Sequence, residues 1–177
     1  MPGEDLKEAL PPNMTTPLGK AFTIQCFVDA DHAGESLSHW SRTGYIVLLN
    51  NAPIYWFSKK MASIETSTVG SEFMTMKQAT EYMCGLGYKL RMFGIPVNEP
   101  EFVYGDNQSV LVNPSMLAST LKKNIQSIAF HFVQEDCPAD EWRTAYLNTH
   151  LNVVDLMIKP LAGKKLWGFG RMLLHHI

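Results

Sequence analysis

Several features are scarce or absent in this sequence, and each one narrows the class of protein. Three cysteines occur among 177 residues, at Cys26, Cys84 and Cys137, far apart and without a CxxC pair. This spacing argues against a disulfide framework or a zinc site and favours buried free thiols in a reducing compartment. There is no secretory apolar region, and no apolar run is long enough to cross a bilayer. We therefore expect an intracellular, soluble protein.

Charge is also scarce, and it is nearly balanced. Charged residues make up 18% of the chain and the formal net charge is −2. A protein that binds polyanions strongly by itself is usually basic, so the composition argues against a strong autonomous nucleic-acid binder. Apolar residues make up 46%, and 177 residues are enough for one domain with a buried core.

The polar and apolar patterns divide the chain into three parts. Residues 1–20 are polar and contain four prolines, which predicts a tail or linker. Residues 21–162 carry the regular apolar patterns and form the predicted domain. Residues 163–177 (GKKLWGFGRMLLHHI) resemble an amphipathic helix, and we expect them to form a C-terminal tail outside the domain.

Apolar periodicity within the domain predicts alternating strands and helices. Phe22, Ile24, Cys26 and Val28 alternate as in a strand with one buried face, and Asp29 falls on its opposite face at the end. The pattern predicts two further strands, at residues 43–49 and 53–58, joined by a hairpin turn at Asn50-Asn51-Ala52. Further strands are predicted over 102–105 and 142–147.

The predicted helices are 67–93, a short one after residue 106, 120–134, and one that Thr149 caps and that ends near Pro160. In the long helix the core-facing residues are Phe73, Met76, Thr80, Met83, Leu86 and Leu90. The result is an α/β fold, a mixed sheet with helices packed against it.

Four acidic residues occupy the edges of this arrangement. Asp29 and Asp106 end strands, whereas Glu72 and Asp155 lie in helices. Singly, such residues start turns, interact with a helix dipole or lie on a solvated face. Together they favour a cage for divalent cations and phosphodiester hydrolysis, since Mg²⁺ prefers carboxylate oxygens. Crowded carboxylates should also have raised pKa values without the cation. Asp31 either shares the face of Asp29 or serves the following turn.

Six sequence blocks together resemble a known family. The blocks FVDADHAG, SRTGYIVLLNNAPIYWFSKK, ETSTVGSEFMTM, YGDNQSV, STLKK and VVDLMIKPL extend over residues 22–161. In this order they resemble the ribonuclease H domain at the C-terminal end of a copia-type LTR-retrotransposon Pol polyprotein. The resemblance implies a five-stranded ribonuclease H-like mixed sheet, with its first three strands antiparallel and helices on its faces.

The resemblance also implies a reaction and a location. It implies Mg²⁺-dependent hydrolysis of the RNA strand of an RNA–DNA hybrid during reverse transcription, with two ions for which Mn²⁺ can substitute. Asp29, Glu72, Asp106 and Asp155 stand at the catalytic and metal-binding positions. The expected partners are the hybrid and the reverse transcriptase domain of the parent polyprotein, with no membrane. The expected location is the cytoplasm, including virus-like particles, or the nucleus.

Other polar residues have both a functional and a structural interpretation. Asn107 and Gln108 contact nucleic acid or cap a helix, and His131 is interpreted as a packing residue. His150 is the candidate for the histidine that helps product leave in cellular ribonucleases H. Lysines that either contact phosphates or are merely solvated are Lys59, Lys60, Lys122, Lys123 and Lys159.

Departures from the family pattern keep alternatives open. Asn124 stands where a histidine is usual, and Val154 and Ile158 replace an alanine and a threonine. Residues 134–136 (QED) stand where a more basic stretch is typical. These changes remove polar or positive groups near the expected nucleic-acid path. The alternative function is therefore a catalytically silent, degenerate or domesticated remnant that acts as a binding module. An integrase or resolvase on the same fold is a further alternative that the sequence blocks disfavour.

Overall fold

A five-stranded mixed sheet forms the centre of the molecule. The computed structural model describes residues 12, 19–31, 41–61, 68–97, 100–107 and 142–174. The strands in this part of the chain are β1 (Ile24–Asp31), β2 (Arg42–Leu49), β3 (Ala52–Lys60), β4 (Glu101–Gly105) and β5 (Trp142–Tyr146). Their order is β3-β2-β1-β4-β5. The first three are antiparallel, whereas β4 runs parallel to β1 and β5 parallel to β4. The predicted fold class is confirmed.

The hairpin between β2 and β3 turns at the predicted residues. Asn50 has a φ of 47°, in the left-handed region that asparagine tolerates better than most residues. Its side chain accepts a hydrogen bond from the Thr23 backbone N–H at 3.0 Å. The turn is therefore tied to the start of β1, which helps fix the register of β1 against β2.

One face of the sheet packs against a long helix, α1 (Thr68–Met92). Ile24, Cys26 and Val28 of β1 are buried there. Of the six predicted core residues of α1, Leu86 is partly buried and the other five are buried: Phe73, Met76, Thr80, Met83 and Leu90. The period of the apolar residues therefore predicted the correct helical face.

The opposite face carries two short helices, α2 (Asp155–Ile158) and α3 (Gly163–Leu174). Phe169 and Leu173 of α3 are buried against Ile46 and Leu48 of β2. The segment expected to form a tail beyond residue 162 thus packs on the sheet through its apolar stripe. In the described part of the chain, no helix combines the length and apolar composition needed to cross a bilayer.

The connection from β5 to α2 differs from the predicted single helix. Thr149–Leu151 is a short 3₁₀ turn whose N-cap is Asn148, and α2 begins only at Asp155. Thr149 therefore does not cap the helix that contains Asp155. The helices predicted after residue 106 and over 120–134 lie outside the described residues.

Candidate metal centre

The Asp29 carboxylate lies near the end of β1, on the face that α2 and α3 cover. Its side chain points away from that of Val28, as the alternation in the sequence predicted. Asp29 is 4% exposed, and its Oδ1 accepts the Ala30 backbone N–H at 2.7 Å. Its partner on β2 is Gly44. A buried strand thus fixes the carboxylate in position instead of leaving it in a mobile loop.

Glu72 and Asp106 approach Asp29 from two other elements. Asp106 directly follows β4, which is parallel to β1 and adjacent to it, so the carboxyl ends of the two strands meet. Glu72 is the fifth residue of α1, and the first turn of that helix has no acidic residue. Interaction with the helix dipole therefore does not explain its position. Among the described residues, Asp29, Glu72 and Asp106 form a group whose ligand oxygens all lie within 4.8 Å of one another.

Two observations indicate that this group suits a small cation. Glu72 Oε2 is buried and, among the described residues, has no hydrogen-bond partner. A cavity of about 10 Å³ is lined by all three carboxylates and by Asn107, which is room for about one water-sized particle. The Asn107 side chain also hydrogen-bonds to Glu72. Oxygen atoms at a small cavity, one of them without a partner, are a donor set that a hard cation such as Mg²⁺ accepts.

Asp155 lies at the start of α2 and has different partners. Its side chain is 1% exposed, and both oxygens accept from ammonium groups: Oδ1 from Lys159 Nζ at 2.8 Å and Oδ2 from Lys165 Nζ at 2.5 Å. Lys159 Nζ also donates to Asp29 Oδ2 at 2.6 Å. Lys159 therefore bridges Asp29 and Asp155, instead of lying free for phosphate as one sequence interpretation had it.

The pKa values of the acidic residues follow from burial and from these lysines. Burial raises the pKa of Asp29 to about 6, against the opposing effect of Lys159. Burial likewise raises the pKa of Glu72 to about 7, although the hydrogen bond from Asn107 opposes it. Burial also acts on Asp155, but hydrogen bonds with Lys159, Lys165 and Asp29 outweigh it and hold its pKa below the usual value. The expectation of raised values is confirmed for Asp29 and Glu72 and wrong for Asp155.

The remaining sequence candidates lie at different places. Lys59 and Lys60 end β3 and are exposed, at the same end of the sheet as Asp29. Asp31 is the last residue of β1, where it lies opposite Arg42 of β2 in the strand register. His150 is exposed in the 3₁₀ turn. Candidates that lie outside the described residues are Gln108, Lys122, Lys123 and His131.

Residues that the sequence interpretation missed fix the position of α2. Asn152 is fully buried, and its side-chain amide donates to the Val28 carbonyl at 3.0 Å. Gly44 lets α2 approach β2, since a Cβ there would lie 2.5 Å from Ile158 Cγ2. An asparagine within an apolar run and a glycine within a strand were the available signals. Lys165 had no such signal, because its partner Asp155 is reached only through the docking of α3.

Two departures from the family pattern have a packing explanation. Val154 and Ile158 are 0% and 4% exposed, and both belong to the core cluster beneath α2 and α3. Their side chains therefore do not face a nucleic-acid path, and the interpretation that these two substitutions remove polar groups from it is wrong.

The chain is similar in sequence to curated retrotransposon proteins of plants. It is 28% identical over 159 residues, or 86% of this chain, to the retrovirus-related Pol polyprotein from transposon RE2 of Arabidopsis thaliana. It is 29% identical over 147 residues, or 81% of the chain, to the corresponding polyprotein from transposon RE1. In each case the match spans 10% of the relative's length. No protein-family model matches the chain.

The chain is also similar in fold to solved structures. LC11-RNase H1, solved in complex with an RNA/DNA hybrid, superposes with a TM-score of 0.57 at 14% sequence identity, over 81% of this chain and 99% of that one. At this identity the likeness concerns the fold alone. The homologues are thus Pol polyproteins and the fold is that of ribonuclease H, so that the chain resembles, in sequence and in architecture, the ribonuclease H domain of a retrotransposon Pol polyprotein.

Proposed function

We propose that the chain is a divalent-metal-dependent ribonuclease that hydrolyses the RNA strand of an RNA–DNA hybrid during reverse transcription. The observation that carries the proposal is the convergence within 4.8 Å of Asp29 in β1, Glu72 in α1 and Asp106 directly after β4. Three carboxylates from separate rigid elements are held together against their mutual repulsion, an arrangement that a bound cation stabilises. The fold and the plant relatives support this reaction over other metal-dependent hydrolyses.

Two Mg²⁺ ions are the proposed cofactor, and Mn²⁺ can substitute. Asp29, Glu72 and Asp106 would hold one ion, and Asp155, beside Asp29, would complete the set for the second. When bound, such ions activate water and stabilise a leaving oxygen in phosphodiester hydrolysis. The protein's own residues supply orientation: the Ala30 N–H and Lys159 fix both oxygens of Asp29, and Asn107 fixes Glu72.

We propose that five polar residues contact the nucleic acid. Lys59 and Lys60 are exposed at the end of β3, two strands and thus on the order of 10 Å from β1. Asn107, Gln108 and Lys123 complete the proposed set. Since the net charge is −2, we propose that the reverse transcriptase domain of a parent polyprotein supplies much of the affinity for the hybrid. The proposed location is the cytoplasm, including virus-like particles, or the nucleus.

Cleavage of an end-labelled RNA–DNA hybrid tests the reaction. We expect products from the RNA strand with Mg²⁺ or Mn²⁺ and none with chelator. Asp29→Asn should lower the rate by about a hundredfold or more, because it removes a charge that holds the ion. The matched control is Asp31→Asn, which makes the same change on the same face of β1, outside the carboxylate group.

An uncleaved hybrid would overturn the proposal if the protein is folded by circular dichroism and tested at high concentration with either metal. The test should include a reverse transcriptase domain added in trans, so that weak hybrid binding is not mistaken for missing chemistry. Failure under all these conditions would favour the alternative of a catalytically silent binding module.

A further inference from the structure

Asp155 differs from the other three carboxylates because ammonium groups already occupy both of its oxygens. Lys159 Nζ and Lys165 Nζ lie 2.8 Å and 2.5 Å from Oδ1 and Oδ2, respectively. These distances are those of charge-assisted hydrogen bonds. Glu72, by contrast, has a buried oxygen without a partner among the described residues. The two parts of the centre therefore differ. Glu72 offers an oxygen that has no partner among the described residues, whereas the two lysines already compensate the charge of Asp155.

Both lysines are held in place by the fold. Lys159 lies one turn after Asp155 and also bonds to Asp29, and its side chain is 30% exposed. Lys165 is 35% exposed, and its ammonium group lies 5.1 Å from the centre of the Phe169 ring. Phe169 is buried between α3 and the sheet, so the docking of α3 brings Lys165 to Asp155. Neither lysine is a freely solvated surface cation.

Without nucleic acid, the charge balance of the centre favours a single divalent ion. In their ionised forms, the four carboxylates and two ammonium groups carry a net charge of −2, which one divalent cation neutralises. A second would leave a net charge of +2 beside Asp29 and Asp155, which are almost completely buried. Unbalanced charge in a poorly solvated site is unfavourable. The group of oxygens within 4.8 Å consists, among the described residues, of Asp29, Glu72 and Asp106, without Asp155.

We propose that Lys159 and Lys165 provide the counter-charge of Asp155 in place of a second divalent ion, so that the chain free of nucleic acid binds one ion, at Asp29, Glu72 and Asp106. The inference rests on the proposed metal-dependent function and refines it. Lys165 is in this view a positioning residue that acts through Asp155, and α3 is a part of the metal centre. Entry of a second ion requires that the lysines leave Asp155.

The number of bound ions is the decisive measurement. Electron paramagnetic resonance of free Mn²⁺ counts the ions that the protein removes from solution, without nucleic acid and without any catalytic step. Wild-type protein should bind one Mn²⁺ per chain, displaced by excess Mg²⁺. Lys165→Met keeps an apolar stem but removes the ammonium group, so this variant should bind a second ion; Lys159→Met should do the same.

Two further variants separate the proposed role from a general effect of charge or stability. Lys164→Met removes the same charge from the neighbouring, exposed position of α3, and it should still bind one ion. Lys165→Arg keeps a cation near Asp155 and should also bind one ion. Circular dichroism and the melting temperature identify any variant that fails to fold. The number of ions bound by the wild-type protein tests the inference even if a variant does not fold.

Two tightly bound ions in the wild-type protein would overturn the inference, as would none. A single ion in the wild type and in both Lys→Met variants would overturn it too. The cleavage experiment distinguishes these failures from failure of the proposed function. One bound ion without hybrid cleavage contradicts only the nuclease, whereas two bound ions with cleavage contradict only the role of the lysines.

Discussion

Asp29 and Asp155 are both buried aspartates bonded to Lys159, yet their pKa values move in opposite directions. Burial raises the pKa of Asp29, and one lysine does not fully oppose it. Asp155 receives hydrogen bonds from two lysines, and a hydrogen bond between the two carboxyl groups also lowers the pKa of Asp155 while it raises that of Asp29; together these interactions outweigh the burial of Asp155. The sequence interpretation attributed raised values to repulsion among carboxylates. Loss of hydration is the larger cause for Asp29 and Glu72, and the neighbouring acidic residues contribute less.

These raised values predict how stability depends on pH. The folded-state pKa values of Asp29 and Glu72 are about 6 and 7, above their ordinary values of 3.8 and 4.5. Between about pH 4 and pH 7 these two residues therefore bind more protons in the folded state than in the unfolded state, and their contribution to the free energy of unfolding falls as pH rises. For metal-free protein we expect the melting temperature to drop by on the order of 5 °C between about pH 5 and pH 8.

Scanning calorimetry in chelator at several pH values checks this prediction. The double variant Asp29→Asn, Glu72→Gln cannot titrate at these positions and should have a flatter profile. The matched control is Asp31→Asn, a substitution of the same kind outside the carboxylate group, and the slope of the double variant is compared with it. A double variant with the wild-type slope would contradict the assignment of the titration to these two residues.

At the scale of elements, the approach of α2 to the sheet decides where Asp155 lies. Gly44 of β2 pairs with Asp29, and a Cβ at this position would meet Ile158 Cγ2 at 2.5 Å and Val154 Cγ1 at 3.1 Å. Asn152 fastens the preceding segment to β1, and Ser58 Oγ donates to the Met157 carbonyl at 2.7 Å. A strand without a side chain at one position thus lets a four-residue helix lie against it.

Gly44→Ala should destabilise the protein and displace α2. We expect a loss of about 1–3 kcal/mol in the free energy of unfolding, the usual cost of overpacking, measured by urea denaturation. The matched control is Gly85→Ala in α1, where a Cβ meets no atom within 4 Å. That variant should be more stable by about 0.5–1 kcal/mol, because alanine favours a helix. Equal stability of the two variants would contradict the close packing of α2.

At the scale of the whole molecule, a bound cation connects three elements that are distant in sequence. Asp29, Glu72 and Asp106 belong to β1, α1 and the end of β4. Unfolding separates them, so an ion that binds only the folded state stabilises the entire domain. The match to the plant Pol polyproteins spans a tenth of their length.

Thermal unfolding with added Mn²⁺ measures this coupling. At about ten times its dissociation constant, one ion adds about 1.4 kcal/mol, which corresponds to a rise in melting temperature of about 3–5 °C for a domain of this size. Glu72→Gln should lose most of this rise, whereas Asp31→Asn should keep it. A rise equally large in Glu72→Gln, or with K⁺ at the same ionic strength, would indicate a nonspecific salt effect.

Local patterns in the sequence determined most of the framework. A strand and a helix each repeat with a fixed period, so both can be predicted from the spacing of apolar residues in the sequence. The strand period is present at Ile24, Cys26 and Val28, and the helical period at Phe73, Met76 and Met83. They predicted β1, the core face of α1 and the face of Asp29. The sequence blocks around Asp29, Glu72 and Asp106 predicted the three residues that the sheet and α1 bring together.

Only the tertiary structure decided which groups contact the fourth carboxylate, that of Asp155. Lys159 bonds to Asp29 across 130 positions of sequence, and Lys165 reaches Asp155 because Phe169 and Leu173 anchor α3 to β2. Such contacts depend on how complete elements dock, which no local period encodes. The choice between a carboxylate that binds a metal ion and one that pairs with ammonium groups is made by packing, since the residue type is the same in both.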